Sequence, residues 1–157
     1  MTRGERHSWI QGPAGQERHA RVMIRMMATP YNRYLETQVQ TAPPENLVLM
    51  LYDGAIRFAN QAKLDLAEGK RESAHKNLTR GQDILSELMG SLNMDAGDIA
   101  VNLFKLYEYM QYRLVQANVQ RSIEPIDEVV RMLGELRETW FEAIRDYRGK
   151  IARAGGQ

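Results

Sequence analysis

The chain has no cysteine in its 157 residues. That absence excludes disulfides, thiolate metal sites and thiol nucleophiles, and it fits a reducing compartment. Long apolar runs are also missing. The longest, Leu47-Val48-Leu49-Met50-Leu51-Tyr52, is broken by Asp53, far short of the ~18 residues a membrane-spanning helix needs. Charge of one sign is not in excess either, the formal net charge being +1. Five arginines (Arg3, Arg6, Arg18, Arg21, Arg25) face two glutamates (Glu5, Glu17) within residues 1–27. The rest of the chain is therefore slightly acidic and lacks the basic stripe a nucleic-acid-binding surface requires. Histidine is scarce: His7 and His19 precede the patterned part of the chain, leaving His75 alone inside it.

What is present is a helical period. Residues 1–27 stand apart, because Gly4, Gly12, Pro13 and Gly15 interrupt any repeat and apolar residues are scattered. They read as a disordered N-terminal extension without the continuous apolar core of a secretory signal. A helical bundle is expected over 28–148 and a flexible C-terminal tail over 149–157. Within the bundle, Thr41-Ala42-Pro43-Pro44-Glu45 is a helix-start signal: proline sits where its missing donor costs nothing, with an acid in the first turn. The first long helix is expected from about 44 to 68, stopped by Gly69. A second runs over 70–92, and a third over 98–120 after a turn-rich stretch. Ser122-Ile123-Glu124-Pro125 opens a fourth, which reaches about Tyr147 before Gly149. A shorter helix or cap is expected over 31–40. Short connections make consecutive helices antiparallel. The expected fold is thus all-α, an antiparallel up-down four-helix bundle with a short N-terminal helix or cap.

Each long helix carries an apolar stripe at 3/4 spacing, the mark of a face turned to a core. In the second it is Ala74, Leu78, Gly81, Leu85, Leu88 and Leu92. In the fourth it is Ile126, Val129, Leu133, Leu136, Trp140 and Ile144. The first has Leu47, Leu51, Ala55, Phe58 and Ala62, and the third Ile99, Leu103, Leu106, Met110, Leu114 and Ala117. Two helices have apolar residues to spare. In the third, Val101, Phe104, Tyr112, Val115 and Val119 form a stripe on the far side, with Glu108 in its middle. In the first, Leu49, Met50 and Ile56 fall off the core stripe among Asp53 and Asn60. A helix apolar on two sides must be covered twice or leave an interaction patch. Burying Glu108 or Asp53 alone would be costly, so a partner's amphipathic helix is the better expected cover. Met50 suits such a surface because its soft side chain adapts.

Catalytic and metal chemistry find little support. Glu72-Ser73-Ala74-His75 has the Glu-x-x-His spacing of di-iron bundles, which need two such motifs and two more carboxylates. No second histidine in the bundle could complete a nucleophile–base pair. Gly12-Pro13-Ala14-Gly15 lacks the Gly-Lys-Ser/Thr of a phosphate loop. The expectation is a binding protein, not an enzyme, with no cofactor and no metal.

The segments Pro30-Tyr31-Asn32-Arg33-Tyr34 and Val39 through Phe58, including Leu51-Tyr52-Asp53-Gly54, resemble the FliS family of flagellin-specific export chaperones. So do Gln82-Asp83-Ile84-Leu85-Ser86-Glu87-Leu88, Asn102-Leu103, Leu106-Tyr107-Glu108-Tyr109-Met110 and Leu136-Arg137-Glu138-Thr139-Trp140. The likeness spans about 27–146. One departure is Ala42-Pro43-Pro44-Glu45 where the family usually has Ala-Ser-Pro-Glu. The resemblance implies a cytoplasmic bundle that holds the disordered C-terminal segment of flagellin before export; the charge balance and the short apolar runs set nucleic acid and membrane insertion aside. The resemblance also implies contacts with the export gate and with regulators of flagellar assembly, and a Tyr31/Tyr34 cap over part of the surface when the protein is free. The partner-binding residues expected are Tyr31, Tyr34, Leu49, Met50, Ile56, Val101, Phe104, Tyr112 and Val115. The rival expectation is a self-associating interaction or regulatory bundle, a homodimer through the same apolar faces.

Overall fold

The structure, a computed structural model, describes residues 44–155. The extension over 1–27, the short helix over 31–40, and Tyr31 and Tyr34 lie outside the described residues. Four helices make up the described chain: α1 (Pro44–Ala67), α2 (Arg71–Ser91), α3 (Asp98–Gln120) and α4 (Glu124–Gly155). A 3₁₀ turn, Met94–Ala96, sits between α2 and α3. Consecutive helices pack on one another and α4 closes against α1. The result is the expected all-α, four-helix architecture.

The helix ends follow local chemistry. Gly69 adopts φ 75°, a left-handed conformation that glycine takes without a Cβ penalty. There the Lys70 amide donates to the Asp65 carbonyl at 2.8 Å and the Gly69 amide to Leu66 at 3.2 Å, the double closure that satisfies the last carbonyls of α1. At the end of α3 the left-handed residue is Arg121, and the Ser122 amide reaches the Ala117 carbonyl at 3.2 Å.

The α4 helix differs from expectation. It passes Gly149 and continues to Gly155, so 149–155 is helix where a flexible tail is expected over 149–157, and residues 156–157 lie outside the described residues. A lone glycine costs a helix only about 1 kcal/mol. The guanidinium of Arg153 donates back to the Gly149 carbonyl at 3.3 Å, and cations such as Lys150 and Arg153 suit a helix C-terminus.

The stripes of α1 and α2 are buried as expected, Leu78 and Leu85 completely. In α4, Ile126, Val129, Leu133 and Ile144 are buried, while Leu136 and Trp140 are partly buried against the core. Trp140 donates from Nε1 to the Glu45 carbonyl at 2.9 Å and so ties α4 to the start of α1. The α2–α3 contact is close at Gly81, where an added Cβ would stand 3.2 Å from Leu114.

On α3 the expected core face is corrected. Ile99 and Leu106 are 54% and 37% exposed, whereas Ala100 and Tyr107 are buried. The periodicity admits both settings, because Leu103, Met110, Leu114 and Ala117 are spaced equally well from either set. Tyr107 decides the rotation. Its hydroxyl lies 2.5 Å from that of Tyr52, in a buried pair that joins α1 to α3 across the bundle. Burial pushes the Tyr52 hydroxyl up to about 12 and Tyr107 well above its ordinary value, so both stay neutral. We predict that Tyr52→Phe and Tyr107→Phe will each cost about 1–2 kcal/mol, because each orphans a buried hydroxyl. The double variant should cost clearly less than the sum, as urea unfolding will show; strict additivity would refute the pair's energetic role.

A candidate partner-binding surface

The outward face of α3 carries the candidate site. Glu108 and Tyr112, four residues apart, lie one turn above the other, and Val101, Phe104, Val115 and Val119 continue the line at 3/4 spacing. Tyr112, Val115 and Val119 are 57%, 41% and 77% exposed. Val101 is half-buried, and Phe104 is half-buried with its ring against the core. Glu108 stands exposed in the middle. Scattered exposed apolar residues are ordinary on protein surfaces, but three at helical spacing on one face make a contiguous strip.

One member of the strip, Tyr112, is tied into a hydrogen-bond chain. The Tyr112 hydroxyl accepts from Gln116 Nε2 at 2.9 Å, and Gln116 Oε1 accepts from Arg113 at 2.7 Å. Arg113 in turn pairs with Glu128 of α4 at 3.0 Å, and the Tyr109 hydroxyl donates to the same carboxylate. The Tyr109 bond is the main influence holding the Glu128 carboxyl below its ordinary range; burial opposes it and Arg113 assists. The same bond pushes Tyr109 up. A chain of hydrogen bonds thus runs from α4 to the hydroxyl of Tyr112. Restricting its rotamers in advance reduces the ordering cost of binding.

The other flank of α3 adds Ile99 and Leu106, which the apolar period alone assigns to the core. Ile99 and Leu106 share a strip with Tyr109 at seven- and three-residue steps, on the side where Tyr109 and Arg113 reach α4. The signal that could have revealed them is the alternative core setting through Tyr107.

The α1 residues are elsewhere. Asp53 pairs with Arg137 and Lys63 with Asp127, the latter at 2.7 Å, so this side of α1 faces α4. Leu49 and Ile56 lie on that side by helical spacing, both half-buried, and Ile56 packs on the core. Met50 also packs on the core from a half-buried position. The expected site residues therefore divide. Tyr112 and Val115 are open, Val101 and Phe104 border them on the same face, and Leu49, Met50 and Ile56 do not join that strip. His75 accepts from Asn118 Nδ2 at 2.8 Å across α2 and α3.

A four-helix bundle that presents an exposed apolar strip on one helix has the form of a protein-binding module. The family profile described as flagellar protein FliS matches residues 27–147. The flagellar secretion chaperone FliS of Bacillus subtilis is 33% identical over 127 residues, covering 81% of this chain and 95% of the relative. That of Salmonella typhimurium is 35% identical over 108 residues, covering 68% and 80%. A crystal structure of a bacterial flagellar chaperone superposes with a TM-score of 0.63 at 24% identity, covering 74% of this chain and 95% of that one. The chain belongs to the FliS family.

Proposed function

We propose that this protein is a flagellar export chaperone that binds the disordered C-terminal segment of flagellin in the cytoplasm, preventing premature polymerisation and keeping the subunit export-competent. The observation that carries the reading is the uncovered strip Tyr112, Val115 and Val119 on α3, in a chain whose relatives are flagellar secretion chaperones. A flagellin tail bears apolar residues meant for filament contacts. Laid as an amphipathic helix on the strip, it would bury them and the strip together, the helix-in-groove mode of recognition. Ordering a disordered segment costs about 2–5 kcal/mol. That cost keeps the affinity moderate and lets the tail leave without nucleotide hydrolysis. Among the described residues no helix is long and apolar enough to cross a membrane. Leu49, Met50 and Ile56, with Tyr31 and Tyr34, stay in the proposal as flanking contacts of a tail that wraps the bundle. The export gate and assembly regulators are further proposed partners.

Calorimetric titration of the full chain with the C-terminal segment of flagellin from the same organism should give a saturable complex. Its mass should correspond to one chaperone and one tail. Absence of binding would overturn the reading. A stable homodimer indifferent to the tail would favour the self-associating bundle instead.

A further inference from the structure

Along Val101, Phe104, Tyr112, Val115 and Val119 the strip on α3 is apolar except at Glu108; the exposed Lys105 stands three residues before that glutamate and makes no ion pair with it among the described residues. Glu108 occupies the position between Phe104 and Tyr112, four residues from each, where the spacing calls for another anchor. It is exposed and has no hydrogen-bond or ion-pair partner among the described residues. Two neighbours along the strip, Val115 and Tyr112, are more than 40% exposed, so a helix laid there would cover the carboxylate along with them. An unpaired charge covered in this way would be costly, and a matching cation removes the cost. A single polar residue inside an otherwise apolar helix–helix seam is also known to fix register and partner choice at some expense in stability.

The charge argues against a second copy of this chain as the occupant. Two copies laid antiparallel on the same strip, which runs from Val101 to Val119, would meet near residue 110. Each Glu108 would then stand within about one helical turn of the other, a like-charge juxtaposition that suppresses such pairing. A different chain with a cation at that level is favoured.

The geometry points to Glu108 as the residue that sets register and specificity on this surface: it pairs with one lysine or arginine placed between the apolar anchors of the bound flagellin helix. This inference rests on the chaperone reading and adds to it the chemistry of the recognised segment, an amphipathic helix with a single central cation. Neither the likeness to relatives nor the apolar strip alone requires that cation.

The test uses the full chain and the flagellin C-terminal segment. Glu108→Gln should weaken binding by roughly tenfold at low salt, the scale of a partly desolvated ion pair, and should flatten the salt dependence that the wild type shows as screening rises. Glu108→Lys should weaken binding further. Reversing one particular lysine or arginine of the flagellin segment to glutamate should restore it, and reversing the others should not. Thermal unfolding of both variants should match the wild type, since the side chain is exposed. If the wild type binds the segment and Glu108→Gln leaves affinity and salt dependence within twofold, the inference fails while the chaperone reading stands. The inference also fails if no single reversal rescues Glu108→Lys. If the wild type does not bind the segment, both fail together.

Discussion

Replacing Asp65 with alanine should lower the free energy of unfolding by about 3 kcal/mol, several times the effect of an ordinary surface change. Asp65 is 2% exposed at the end of α1. Its carboxylate accepts from Gln61 at 3.0 Å, from Ser73 Oγ at 2.7 Å and from Asn77 Nδ2 at 2.8 Å. Ser73 and Asn77 belong to α2, so this one side chain fastens the α1–α2 hairpin from within. Its removal leaves Asn77, itself buried, with an unmet donor, and an unmet buried polar group costs about 1–3 kcal/mol. Urea unfolding measures the loss. A change below about 1 kcal/mol would show that the hairpin does not depend on this cluster.

The same carboxylate predicts a pH dependence. Burial pushes its pKa up, but the bonds from Ser73, Gln61 and Asn77 and the nearby charge of Lys70 outweigh burial, and the group ends below its ordinary value. In the unfolded chain an aspartate titrates near 3.9. Between those two values the unfolded state binds more protons than the folded one, so stability falls with falling pH. The contribution of Asp65 is therefore intact above about pH 4 and is lost as the pH drops through the folded value. Asp65→Asn should be less stable at neutral pH and should show a flatter acid limb in equilibrium unfolding. An acid limb identical to the wild type would assign the titration to other groups.

Much of the fold is legible in the sequence because it depends on local chemistry. Pro44, Gly69 and Pro125 mark helix ends through backbone geometry that needs no tertiary partner. The stripes of α2 and α4 have one consistent setting: that of α2 is buried throughout, and that of α4 is buried except at Leu136 and Trp140, which are partly buried against the core. The rotation of α3 escaped, since two apolar settings fit the period and the choice rests on Tyr107 meeting Tyr52, fifty-five residues away. The Asp65 cluster escaped for a related reason: an aspartate at a helix end looks solvated until Ser73 and Asn77 of the next helix close over it. The end of α4 lies beyond the stop that Gly149 suggests, because a single glycine weakens a helix without ending it. Of the candidate site, the exposed strip of α3 was visible as a second periodicity. Pattern alone could not separate Tyr112, which is open, from Phe104, Met50 and Ile56, which lean on the core. All four lie off the main stripe, and how far a flank is covered depends on neighbouring helices.

That difference governs the largest expected loss of function. Tyr112→Asp combined with Val115→Asp should weaken binding of the flagellin C-terminal segment at least a hundredfold and leave the bundle folded. Both side chains are largely exposed, so carboxylates there remain hydrated in the free protein and its thermal midpoint should move little. In the complex the same positions would be covered. Each lost anchor removes about 1.5–3 kcal/mol of apolar burial, and the introduced carboxylates would be desolvated beside Glu108. Together these exceed the ~2.7 kcal/mol that a hundredfold change in affinity represents. Thr79→Asp on α2, an exposed position on a helix that carries none of the proposed contacts, should change neither binding nor stability and serves as the control for general surface charge. Phe104→Ala should act differently, because its ring also packs on the core: affinity and unfolding free energy should fall together. Calorimetry with parallel urea unfolding separates these patterns. If the Tyr112/Val115 variant binds within threefold of the wild type, the strip on α3 is not the contact surface, and the tail must be held by another part of the chain.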